Sequence, residues 1–122
     1  MQKNKWGRII TIGSVQEKKP HPDMLIYSST KAATTLMAQS LALRFADSGV
    51  TVNSVAPGVI LTDRNTDALS DAEYSKAVKE KIPVGYFGDV EECSGIVSFL
   101  CSDKACYITG QNIFVDGGMG IK

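Results

Sequence analysis

Tyr27 and Lys31 stand four positions apart, and Ser14 lies thirteen residues ahead of the tyrosine. On a helix, positions i and i+4 share one face, so the lysine ammonium sits close to the phenol. A positive charge at about 5 Å, with an effective dielectric near 20, favours the phenolate by roughly 3 kcal/mol. A phenol biased in this way can exchange a proton with a substrate oxygen. Ser14 supplies the complementary part, a hydroxyl that donates to an oxygen gaining negative charge during reaction. The trio can thus act as an acid, an electrostatic partner and an oxyanion donor. Tyr-x-x-x-Lys alone is a weak pattern, however, and the same pair also reads as a helix start beside a solvated lysine. His21 and Asp23 invite a hydrolase reading with Ser14, but the chain order and the lack of a nucleophile elbow argue against it.

These side chains need elements to hold them. The run Arg8-Ile9-Ile10-Thr11-Ile12-Gly13-Ser14 predicts a strand over 8–14, buried on both faces in a parallel sheet. A polar loop follows, from Gln16 to Asp23, kept out of helix by Pro20 and Pro22. From about Tyr27 to Asp47, Ala32, Ala33, Leu36, Met37, Leu41 and Phe45 recur at helical spacing. Ser48-Gly49 ends that helix. A second strand over 50–55 stops at Pro57-Gly58. Strand, helix and strand make a crossover unit, and a right-handed crossover brings Ser14 and Ala56-Pro57-Gly58 to one edge of the sheet, where such folds bind ligands.

The pattern weakens over 61–87, which reads as a flap with a polar helical segment near 71–81 and a break at Pro83. Asp89 then caps a helix, with Glu92 at the capping-box position and an apolar face of Val90, Cys93, Ile96, Val97 and Leu100. A last strand over 112–115 runs into Asp116-Gly117-Gly118. The glycines at 117, 118 and 120 precede no helix, so they form a turn rather than a phosphate cradle.

A chain of 122 residues suits one unit, 1–122, with a usable core. The zero net charge gives no reason to expect nucleic-acid or membrane partners. Cys93, Cys101 and Cys106 have no metal-ligand spacing and read as reduced packing residues, which suggests a cytoplasmic protein. No glycine-rich turn links a strand to a helix, and the first residues lead straight into a strand. The chain therefore reads as part of something longer.

Four ordered motifs carry a resemblance over nearly the whole chain. They are Gly7-Arg8-Ile9-Ile10-Thr11-Ile12-Gly13-Ser14; Tyr27-Ser28-Ser29-Thr30-Lys31-Ala32-Ala33; Val52-Asn53-Ser54-Val55-Ala56-Pro57-Gly58 with Thr62; and Tyr107-Ile108-Thr109-Gly110-Gln111 leading to Val115-Asp116-Gly117-Gly118. With them the chain resembles the carboxyl-terminal half of a short-chain dehydrogenase/reductase. The resemblance implies an α/β fold, a partial Rossmann-type parallel sheet of three strands, two crossover helices and a flap, without the amino-terminal dinucleotide-binding half. It implies hydride transfer between a carbonyl and a secondary alcohol with NAD or NADP, of which this chain would contact the nicotinamide side only.

Tyr27 would be the acid/base, Ser14 would steady the substrate oxygen, and Lys31 would assist the tyrosine and hold the nicotinamide ribose. Pro57, Gly58, Ile60 and Thr62 would line the nicotinamide and its phosphates. The implied partners are a small carbonyl or alcohol substrate, the missing amino-terminal half or another subunit, and further copies in a homo-oligomer. By itself the chain would then be a catalytically silent packing or oligomerisation piece.

Overall fold

β-Branched residues pack well on a pleated surface, and in the computed structural model Gly7–Ile12 forms the first strand, β1. The structure describes residues 1–122, apart from the side chains of Arg64 and Ala68. β1 pairs in parallel with β2, Val50–Pro57, in a register running from Gly7 opposite Val50 to Ile12 opposite Val55. β3, Asn112–Val115, pairs in parallel with the far side of β2. The sheet order is therefore β1-β2-β3, and the central strand is buried from Val50 to Ala56.

Helix α1, Leu25–Phe45, starts two residues ahead of the tyrosine. It packs through small residues. Ala38 and Ala42 meet Val50 and Val52, with Ile9, Leu41 and Phe45 completing the cluster. Thr35 Oγ1 and Ser54 Oγ share a hydrogen bond of 3.2 Å between helix and strand. Four of the residues that suggested an inward apolar stripe face outward instead. Ala32 and Ala33 are exposed, and Leu36 and Met37 are 63% and 53% accessible. The reason is steric: the small side chains of Ala38 and Ala42 let the helix approach the sheet closely, which turns the bulkier residues away.

α4, Val90–Cys101, opens with the expected capping box, in which Asp89 accepts from the Glu92 N–H and Glu92 accepts from the Asp89 N–H. Leu100 and Val55 are fully buried on this side, with Ile10, Ile96, Val97 and Ile113 around them. Each such aliphatic side chain contributes about 1.5–3 kcal/mol on leaving water. Val90 is exposed, so the apolar face is narrower than the spacing suggests. Because the sheet order is monotonic and α1 and α4 lie on opposite faces, the two crossovers have opposite hands. Only one follows the usual right-handed rule.

The segment over 61–87 holds two short helices rather than one, α2 at Asp63–Leu69 and α3 at Ala72–Lys79. Its two ends meet at a parallel bridge between Ile60 and Gly88. There Leu61 N donates to Gly88 O at 2.8 Å and Gly88 N to Val59 O at 3.0 Å. Among the described residues, no helix is long and apolar enough to cross a membrane.

Candidate active site

The carboxyl ends of three parallel strands open onto one side of the sheet, and a cleft of about 470 Å³ lies there. Ser14 and Tyr27 both line it, together with Pro57, Gly58, Ile60 and Thr62. Six of the seven site residues that the resemblance implies thus share one cavity wall.

Ser14 reaches it by a local device. Pairing along β1 ends at Ile12, although Gly13 N still donates to Val55 O at 2.7 Å. The strand thus stops short of residue 14, and Ser14 instead caps the 3-10 turn Val15–Glu17 in a capping box with Glu17. The cap has a chemical consequence. Ser14 Oγ accepts from Gln16 N at 3.2 Å, so its own proton is left to donate elsewhere.

Lys31, the seventh, lies behind the tyrosine rather than on the cleft wall. Its Nζ sits 5.6 Å from the Tyr27 ring centroid and donates to Ile12 O at 2.8 Å. The carbonyl ending β1 therefore anchors the ammonium beside the phenol ring. His21 joins no triad. It is exposed and accepts at Nδ1 from Asp23 N, 3.2 Å away.

Gly58 follows β2, and its lack of a side chain is required. A Cβ there would stand 2.7 Å from Asp116 Cα, a backbone atom that cannot move aside cheaply. Next to it, Thr62 precedes α2 without using its hydroxyl as a cap. The hydroxyl stays available to a ligand.

The loop over 15–26, which the sequence suggests shapes the pocket, supplies Gln16 and Met24 to the same wall, and α4 adds Cys93. No motif marks them. The helical spacing explains Cys93 as packing, yet it lines the cleft, where burial pushes its thiol up and the Glu92 and Asp89 carboxylates add to the effect. Cys101 and Cys106 are exposed. Fewer thiolates at a given pH mean slower alkylation. Iodoacetamide near neutral pH is expected to modify Cys101 and Cys106 well before Cys93, which should react readily only in more alkaline solution. Mass mapping of a labelling time course checks this, and equal rates at all three would overturn it.

A Rossmann-type half-sheet with a serine, a tyrosine and a lysine at its carboxyl edge defines the class, and comparison with known proteins agrees. A family model described as enoyl-(acyl carrier protein) reductase matches residues 1–120. Glucose 1-dehydrogenase 2 of Bacillus subtilis is 40% identical over 119 residues, covering 98% of this chain and 46% of that protein. A short-chain type dehydrogenase/reductase from Mycobacterium ulcerans superposes with a TM-score of 0.96 at 34% identity, over 100% of this chain and 44% of the other. A gluconate 5-dehydrogenase from Burkholderia cenocepacia, solved with NADP and tartrate, gives 0.94 at 32%, over 99% and 48%. The chain belongs to the short-chain dehydrogenase/reductase family, a family of oxidoreductases. It spans about half the length of the curated relatives it matches.

Proposed function

We propose that these residues form the acid/base and substrate side of an NAD(P)-dependent oxidoreductase that interconverts a carbonyl and a secondary alcohol. The observation that carries this reading is the shared cleft. Ser14 and Tyr27 present two hydroxyls to one cavity, and Lys31 holds a positive charge behind the phenol ring. A bound nicotinamide supplies the hydride. Tyr27 donates its proton to the carbonyl oxygen during reduction and takes one back during oxidation. Ser14, already an acceptor from Gln16 N, donates its free proton to the same oxygen.

Tyr27, Lys31, Pro57, Gly58, Ile60 and Thr62 would hold the nicotinamide end. The NADP in the Burkholderia gluconate 5-dehydrogenase supports such a cofactor. The segment over 61–87, joined at its base by the Ile60–Gly88 bridge, would close over the substrate.

The test is nicotinamide oxidation by the complete gene product with a panel of small ketones. Saturable, ketone-dependent loss of NADH or NADPH supports the reading, and none with either cofactor overturns it. A second reading concerns the 122 residues alone. β1 is paired on one side only, and Leu25, Ile26 and Leu43 are 71%, 74% and 84% accessible on α1. These surfaces suit a packing or oligomerisation piece that is catalytically silent by itself. Saturable binding of NADPH to the isolated 122 residues, followed by ketone-dependent oxidation, would refute it.

A further inference from the structure

The hydrogen bonds around Gln16 leave one donor without a strong acceptor. Gln16 Oε1 accepts from His21 N at 3.1 Å and from Ser28 Oγ at 3.3 Å. The His21 N–H can only donate, so the orientation of the amide is fixed. Oxygen faces the loop, and Nε2 points the other way. There Nε2 donates to Met24 Sδ at 3.4 Å, and a thioether is a weak acceptor. Gln16 and Met24 both line the cleft that holds Ser14 and Tyr27. Gln16 N also donates to Ser14 Oγ, which ties this residue directly to the hydroxyl that would steady the reacting oxygen.

We infer that Gln16 is a specificity-determining residue and that Nε2 donates to a second, uncharged oxygen of the substrate, next to the reacting carbonyl. The inference rests on the oxidoreductase reading and narrows it to one substrate class, neutral carbonyls with a neighbouring hydroxyl, ether or carbonyl oxygen. Two observations favour a neutral acceptor. The donor is an amide, not a cation, and none of the described residues lining the cleft carries a formal charge. A carboxylate or phosphate in that position would lose its hydration without gaining a counter-charge. A neutral oxygen would replace the thioether as partner of Nε2, and Met24 would turn aside at little cost because its side chain is flexible. Ketones lacking the second oxygen would leave Nε2 with its weak partner.

The test compares 2-methoxycyclohexanone, whose ether oxygen can only accept, with cyclohexanone on the complete gene product, with dissociation constants taken from amide shifts of the nitrogen-15-labelled protein. The methoxy ketone is expected to bind about tenfold more tightly, as one hydrogen bond to an otherwise poorly satisfied donor provides. Titration should also move the Gln16 side-chain amide resonances. In Gln16→Glu the side chain still accepts from His21 N and Ser28 Oγ, but the group facing the cleft becomes an acceptor. The binding ratio should then fall to about one or reverse.

A ratio near one in the unaltered protein overturns the inference, as does a tenfold ratio that survives Gln16→Glu. Turnover is read separately with NADPH. Discrimination in binding without any ketone-dependent turnover upholds the role of Gln16 in ligand choice and sinks the oxidoreductase reading. Turnover of both ketones with equal affinity does the reverse.

Discussion

Replacing Tyr27 by phenylalanine is expected to lower kcat for ketone reduction roughly a hundred- to ten-thousand-fold, the range over which a positioned acid/base contributes. The substitution isolates one atom. Phenylalanine keeps the ring that Lys31 Nζ faces at 5.6 Å, and the contact of Nζ with Ile12 O does not involve the phenol oxygen. Position 27 is in the first turns of α1, with Ser28 buried beside it and tied to Gln16 Oε1. The helix start should therefore remain in place.

Loss of kcat with nicotinamide affinity changed only slightly would fit a proton-transfer role. Rates within about threefold of the unaltered protein would remove Tyr27 from the chemistry, because the smallest general acid/base contribution is far larger than that. Stopped-flow reduction of a saturating ketone by NADPH separates the two outcomes, since it reads the chemical step apart from product release.

How far the residues announced this arrangement depends on the kind of signal. Strands were legible because β-branched runs such as Arg8 to Ile12 and Val50 to Val55 have few alternatives once bounded by Gly49 and by Pro57-Gly58. Gly49 takes φ 70°, a conformation that glycine adopts freely. The Asp89–Glu92 capping box was equally plain, because its spacing is the motif. The inward face of α1 was not legible. Its apolar residues lie on both sides, and the side that packs was decided by close approach, with Ala38, Ala42 and Thr35 fitting where Leu36 and Met37 do not.

Ser14 and Tyr27 were found because chemistry restricts their types and spacing. The loop over 15–26 was legible as pocket wall, but Gln16 and Met24 within it were not singled out, since any residue of suitable size can serve in a loop that hydrogen-bonds to itself. Cys93 was hidden for a different reason. At i+4 from Asp89 it belongs to a helical pattern that accounts for it without reference to the cleft.

Replacing Asn53 by alanine should lower stability by up to about 2–6 kcal/mol, since it leaves two part-buried backbone groups unpaired, each costing at most about 1–3 kcal/mol. Asn53 is fully buried in the central strand. Its Nδ2 donates to Ile108 O at 2.8 Å, and its Oδ1 accepts from Gln111 N at 3.0 Å. Around it, Thr109 Oγ1 accepts from Val52 N, and Gly110 N donates to Val52 O. The side chain thus stitches β2 to the segment over 108–111 where no regular ladder exists.

Asn53→Asp makes the argument sharper. A carboxylate can still accept from Gln111 N, but it faces Ile108 O with a second acceptor and no proton. Burial disfavours its charge, so the folded state should bind that proton more tightly than the unfolded chain. Stability is then fully present below the unfolded carboxyl range and lost as pH rises through the folded value. Urea midpoints measured across pH should show Asn53→Asp approaching the unaltered protein in acid and falling toward Asn53→Ala near neutrality. A gap independent of pH would mean that water reaches the site, and that the donor to Ile108 O is not what holds β2 to its neighbour.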